Sequence, residues 1–200
     1  MSSCTGRTPS AVGSRTIAAP ELSDADRRAL LAAARGAIEA RLCGRPAPAA
    51  ATTPAGGEGR GVFVTLECRG ELRGCIGRVE STQPLAELVP AMALAAALED
   101  PRFEPVRATE VAALRVEVSV LTAPVPLAPA DRTGLVIGRD GLIVRRGARQ
   151  GLLLPQVARE WSWNPQAFLE ATCRKAGLGA TAWRDAATEV LTFQAEVFGE

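Results

Sequence analysis

Residues 61–68, GVFVTLEC, set Val62, Val64 and Leu66 on one side of an extended chain and Phe63, Thr65 and Glu67 on the other. That period of two suits a half-buried strand and excludes an amphipathic helix. The pattern recurs in RVEVSVL (residues 115–121), and EVLTFQAEVF (residues 189–198) closes the chain as a further strand. Such segments must build a sheet with a packed face, and helices are needed to cover it. Ser23 followed by Asp26 forms a capping signal for a helix over 24–42 that ends near Gly44. PLAELVPAMALAAALED predicts a second helix with Pro84 in its first turn, a kink or break at Pro90 and a stop before Asp100-Pro101. NPQAFLEATCRKAG carries Asn164 as cap, Pro165 at the first position and Gly177 as stop. LVIGRDGLIVRRG reads as a hairpin turning at Asp140-Gly141. The expected class is α+β, with a largely antiparallel sheet in one compact domain over 22–200. Residues 1–21 read as a disordered tail, and 44–60 as a flexible connection rich in Pro, Gly and Ala.

Composition narrows the chemistry. With 23 basic and 22 acidic residues the net charge is +1, too little to attract nucleic acid or an anionic membrane by counterion release. No stretch approaches the roughly 18 apolar residues of a membrane span, and the first residues lack the apolar centre of a secretion signal, so a cytoplasmic protein is expected. The five cysteines, Cys4, Cys43, Cys68, Cys75 and Cys173, form no C-x-x-C pair, which argues against a disulfide framework or a structural metal. There is no histidine and no tyrosine. Every Ser-His or Cys-His arrangement is thereby excluded. Any catalysis must use cysteine, carboxylates, arginine, hydroxyls, backbone groups or the lone lysine, Lys175.

The most unusual stretch is LRGCIG, residues 72–77, where Cys75 lies in a strand beside Gly74 and near Gly77. A three-residue turn, Arg69-Gly70-Glu71, would pair Cys68 with Leu72, Glu67 with Arg73 and Thr65 with Cys75. It would also place Leu72 and Ile76 with the aliphatic side chains. A two-residue turn would put those two on the glutamate side and is disfavoured. Cys75 then shares a polar face with Arg73, whose charge would favour the thiolate. The strand at 115–121 offers a matching face of Arg115, Glu117 and Ser119. Lys175 and Cys173 fall at opposite edges of the apolar stripe of the 164–177 helix, consistent with a snorkelling lysine and a core-edge cysteine. Trp161, Trp163 and Trp183 are expected in a core or between lobes.

GVFVTLECRGELRGCIGRVE, DPRFEPV, RVEVSVLTAPVPL, GLLLPQVAREW and FLEATCRKAGL, in that order, resemble the AMME-syndrome candidate-region (AMMECR) family, over roughly residues 22–200. Its bacterial and archaeal members are called AmmeMemoRadiSam system protein A. The resemblance implies two unequal α/β lobes with LRGCIG near the groove between them. It also implies a Memo-like protein and a radical S-adenosylmethionine enzyme as partners, with no intrinsic cofactor and activation supplied by the radical enzyme. Carried over by motif, the site would comprise Cys75, Glu117, Ser119 and Lys175 as catalytic groups, with Arg73, Gly74, Ile76 and Gly77 binding substrate. Asp140 departs from a Gly-x-His-Gly turn in many relatives, which removes an imidazole from any mechanism. Two functional readings stand: a cysteine-dependent enzyme acting on a small molecule, or a non-catalytic scaffold that docks a partner protein through Arg73, Glu117 and the groove.

Overall fold

A computed structural model describes residues 22–46 and 60–200; the expected tail, and all but the ends of the expected connection, lie outside the described residues. Helix α1 (Asp24–Cys43) starts at the Ser23–Asp26 capping box and ends at Gly44, whose positive φ lets the chain reverse. It packs beside α2 (Leu85–Leu98), which continues through Pro90 without the expected break. Its cover of buried Leu, Val, Met and Ala holds it against β1 (Val62–Cys68) and β2 (Glu71–Arg78). Val62, Val64 and Leu66, with Val116, Val118 and Val120 of β3 (Leu114–Leu121), form the buried face beneath these helices.

A second lobe is built from β5 (Asp140–Arg146), β6 (Arg149–Leu153), α3 (Pro155–Glu160) and α4 (Pro165–Lys175), with Phe168 and Leu169 at its centre. The hairpin here turns at Gly147, not at Asp140-Gly141. Asp140 is buried at the start of β5, where it pairs with Arg139 and accepts a bond from the Val136 amide, so the expected turn is the first pair of a strand. Strand β7 (Glu189–Gly199) joins the lobes: Glu189–Gln194 pair with β5 and Ala195–Gly199 with β3, while the short β4 (Val125–Pro126) pairs alongside at Leu191 and Thr192. The result is one antiparallel sheet in the order β2-β1-β3-β7-β5-β6, as expected for an α+β chain.

That sheet curls. Phe63 and Val79 from one end of the strand order and Leu152 and Leu154 from the other pack on the same buried cluster of Leu121, Ile143, Leu191 and Phe193. Arg145 of β5 reaches Glu80, just beyond β2, across the gap at 2.8 Å. The inner face of the curl is therefore apolar where its two ends meet.

The β1–β2 register corrects the sequence expectation. Cys68 pairs with Glu71 and Glu67 with Leu72, so the turn has the two residues Arg69 and Gly70, both with positive φ. A bulge opposite Leu66/Glu67 then takes up Arg73 as an extra residue, and Thr65 faces Cys75 as expected. Leu72 is 45% exposed instead of joining the aliphatic layer, whereas Ile76 does pack on it. Arg73 does not pair with Glu67. Its guanidinium binds Glu110 at 2.8 Å and the carbonyls of Glu104 and Pro105, which lie in the segment following α2.

β2 is an edge strand, and that segment covers the edge. Asp100, only 4% exposed, accepts from the Cys75 amide at 2.8 Å and from Arg102 at 2.7 Å. Arg102 in turn reaches the Cys75 carbonyl. Unpaired edge groups that would template aggregation are thus occupied at Cys75. The Arg102 guanidinium, assisted by the Cys75 and Arg102 amides, holds the Asp100 carboxyl far below the usual carboxylate range.

Two outcomes are expected. A Cβ on Gly74 would collide with the Ala96 carbonyl of α2; Gly74→Ala should therefore cost about 1–3 kcal/mol in urea unfolding, the usual penalty for overpacking. Asp100 has a folded pKa below its unfolded value, so its contribution is complete above the unfolded pKa near 3.9 and is lost as pH falls towards the folded one. Asp100→Ala should lose about 1–3 kcal/mol at neutral pH and show a shallower decline of stability below about pH 4 than the parent chain.

Candidate functional site at the mouth of the curled sheet

Cross-strand register places Cys75, Thr65, Glu117 and Gly199 in one row on the inner face, with Gly77, Phe63, Ser119 and Val197 in the next. The polar faces of β2 and β3 are thus brought together with β1 between them. Thr65 donates its hydroxyl to the Cys75 sulfur at 3.4 Å. That bond orients the sulfur. Phe63 lies over Gly77, leaving no room for a side chain there, and Gly74 faces α2 on the other side of the sheet. The two glycines flanking the thiol are therefore required by packing: one admits a helix backbone, the other a ring.

Lys175, at the end of α4, comes round to this mouth. It interacts electrostatically with Cys75 and Arg102, and its amine sits below the ordinary lysine value through partial desolvation first, opposed by Cys75, with a smaller lowering from Arg102. Among the described residues it has no ion-pair or hydrogen-bond partner. It is exposed at the C-terminal end of α4. Arg102 is 54% exposed, rests on the Phe103 ring at 5.3 Å and is anchored by Asp100. The cations beside Cys75 are consequently Lys175 and Arg102, and Arg73 is committed elsewhere.

At the other end of the row, Glu117 is raised above the usual glutamate range, by desolvation first and then by Glu67 and Glu160. Glu160 closes α3, so the second lobe contributes to this end as well. Ser119, in the next row, is 1% exposed. Beyond Glu160, Trp161 is 67% exposed and stacks on Trp163 at 5.9 Å, so it is not the core residue expected; Trp183 is buried. Cys173 is fully buried in the second lobe, where burial pushes its thiol up, and takes no part in the groove.

Of the residues singled out in the sequence, the structure brings Cys75, Glu117, Ser119 and Lys175 to one face or its rim. Arg73, Gly74 and Ile76 are occupied by Glu110, α2 and the aliphatic core, respectively, and Gly77 lies under Phe63. Sequence reasoning missed Asp100, Arg102 and Glu160. Asp100-Pro101 signalled only a helix stop, and nothing local shows that the carboxylate turns back to a strand 25 positions earlier. A separate cleft of about 570 Å³ lies at the hairpin tip, lined by residues such as Cys68, Leu72, Arg73 and Glu110; Cys75, Glu117 and Lys175 do not border it. Among the described residues no three His, Cys, Asp or Glu side chains are arranged to hold a metal, and no helix is long and apolar enough to cross a membrane.

Comparison with known proteins agrees with this architecture. The AMMECR1 family profile matches residues 31–198. A protein of Methanothermobacter thermautotrophicus is 53% identical over 145 residues, covering 70% of this chain and 76% of the relative. Protein Ta0236 of Thermoplasma acidophilum is 45% identical over 172 residues, 84% of each chain. The crystal structure of protein PH0010 from Pyrococcus horikoshii superimposes with a TM-score of 0.75 at 42% identity, over 86% of this chain and 89% of that one. The shared profile, these identities and the common fold together establish that the chain belongs to the AMMECR1 family.

Proposed function

We propose that this protein is a cysteine-dependent enzyme acting on a small molecule in the groove at the mouth of the curled sheet, with Cys75 as the working atom. The observation that carries this reading is the setting of the thiol. It accepts from Thr65, its backbone is clamped by Asp100 and Arg102, and an unpaired lysine amine lies nearby. The thiolate is the nucleophilic form of a cysteine, and neighbouring cations favour it. In the step we envisage, the Cys75 thiolate, its proton released to solvent, adds to a carbonyl carbon while the C=O π pair moves onto the oxygen, giving a tetrahedral adduct. Arg102 holds an anionic portion of the substrate beside the sulfur.

The resemblance supports placing the protein in a system with a Memo-like protein and a radical S-adenosylmethionine enzyme, the latter activating Cys75 directly or through an adjacent glycine. The scaffold reading is less well supported, because the guanidinium it would use, Arg73, is fully engaged by Glu110 and two carbonyls.

Two measurements test the reading. Anaerobic incubation with a Memo-like protein, a radical enzyme and S-adenosylmethionine should produce a mass change confined to the peptide containing residues 73–77. Cys75→Ser should abolish it while unfolding within about 1 kcal/mol of the parent, the usual range for one substitution; an unchanged mass in the intact chain would count against the proposal. In iodoacetamide labelling, Lys175→Met should slow reaction at Cys75 by removing a nearby cation, whereas Arg73→Gln should leave the rate within about twofold. A larger effect of Arg73→Gln would show that the guanidinium next to the bulge, and not the lysine from the second lobe, governs the thiol.

A further inference from the structure

Arg132 carries a charge into the second lobe. It is 5% exposed and touches Trp183, which is 8% exposed, and Thr188, which is fully buried. Its Nη1 donates to the Trp183 carbonyl and its Nη2 to the Thr188 carbonyl at 3.1 Å, so it ties the 129–132 segment to the residues just before β7. Both acceptors are neutral, and among the described residues no carboxylate pairs with Arg132. Asp185, in the same segment, is taken by Arg146 at 3.0 Å, and Asp131, the neighbour in the chain, is exposed. The buried Cys173 thiol feels the Arg132 charge, yet burial pushes that thiol up and keeps it uncharged at neutral pH. Arg184, over the Trp183 ring at 4.9 Å, adds a further positive charge. A guanidinium does not lose its proton inside a protein, so this buried charge has to be compensated by something that reaches it.

Among the described residues three buried side-chain atoms have no hydrogen-bond partner: Arg132 Nε, Trp183 Nε1 and Thr188 Oγ1. They belong to the same three residues that the Arg132 guanidinium joins. Two are N–H donors and the third is a hydroxyl, so each can donate and a single acceptor suits them all. The Nε and Nη2 edge of a guanidinium takes both carboxylate oxygens in Arg73 with Glu110, Arg102 with Asp100 and Arg139 with Asp140. On Arg132 that edge meets only the carbonyl of Thr188, the residue whose hydroxyl is also unpartnered.

We propose that Arg132 Nε, the Thr188 hydroxyl and the Trp183 indole N–H form a buried site for a small monovalent anion of halide type. An anion accepts from all three donors and neutralises the guanidinium, whereas a water molecule would fill the hydrogen bonds and leave the charge. Enclosure of the three atoms restricts the ligand to a single small ion. Bound there, it fastens the 129–132 segment to the entry of β7.

Bromide is the probe, exchanged at constant ionic strength for gluconate, which is too large to enter. The unfolding temperature of the full chain should rise saturably with bromide, by about 3–6 °C at tenfold over its dissociation constant, and stay level in gluconate. Crystals grown in bromide should show anomalous scattering within hydrogen-bond reach of Arg132 Nε. Thr188→Val distinguishes an ion site from an imperfection of packing. In gluconate it should unfold at or above the parent temperature, because it removes an unpartnered hydroxyl; in bromide it should need at least about tenfold more of the ion, having lost one hydrogen bond to a charged group. Trp183→Phe should weaken the bromide response in the same way, and if it fails to fold Thr188→Val carries the comparison. Equal unfolding temperatures in the two salts, a rise with bromide located elsewhere, an ordered water at Arg132 Nε under saturating bromide, or a response that Thr188→Val leaves intact would each overturn the proposal. So would a bromide peak at Arg132 with no effect in solution, which is binding at crystal concentration only.

Discussion

β7 is the strand on which both lobes depend. One half of it completes the sheet under α1 and α2, and the other half completes the sheet under α3 and α4. Where the two meet, Thr122 and Gln194 exchange two hydrogen bonds, with the Thr122 hydroxyl standing in for a backbone acceptor. Because ladder bonds are obligatory once a strand is buried, the lobes cannot move apart without exposing backbone groups along both halves. The curl that follows from this shared strand carries α3 and α4 round to the open end of the first lobe's inner face. Every feature of the groove, from Lys175 at one end to Glu160 at the other, is a consequence of that closure.

Within the first lobe the sheet separates two chemistries. One face is aliphatic and sealed by α1 and α2; the other carries Cys75, Thr65 and Glu117. Gly74 belongs to the sealed side and Cys75 to the open one, and their alternation lets a helix backbone lie close against the strand while the next side chain remains accessible. The loop containing Asp100 and Arg102 performs two tasks with one ion pair. It caps an exposed sheet edge, and it holds the backbone on either side of the thiol in place. A carboxylate held this strongly ionised is a rigid support, and rigidity around a reacting sulfur is what precise positioning requires.

Over much of the surface arginines meet carboxylates at short range, as in Arg27 with Glu196, Arg35 with Glu200 and Arg146 with Asp185. Lys175, Glu67, Glu117 and Glu160 form no ion pair among the described residues, as holds also for exposed carboxylates such as Glu87 and Glu99. The chain's single lysine stands among these, where a compact ammonium able to release its proton differs most from a permanently charged guanidinium.

The alternating strands, the capped helices and the α+β class were legible because each rests on local physics: side-chain period, caps and turn residues. The pairing of Thr65 with Cys75 and the polar character of both strands' second faces were legible for the same reason. The turn between β1 and β2 was not, because a two-residue turn with a bulge and a three-residue turn without one leave Cys75 opposite the same partner. The two-residue turn goes with the ion pair of Arg73 with Glu110, made across 37 positions, which no local signal encodes. Pro90 likewise carries a local signal to break a helix that packing on the sheet overrides. By itself the sequence determined that a thiol flanked by glycines lies on the polar face of a strand and that no histidine can serve it. Tertiary structure alone decided which charges surround that thiol. Lys175, Arg102 and Glu160 reach the groove through the curl of the sheet and the return of the α2–β3 loop, long-range contacts whose geometry no period or spacing along the chain encodes.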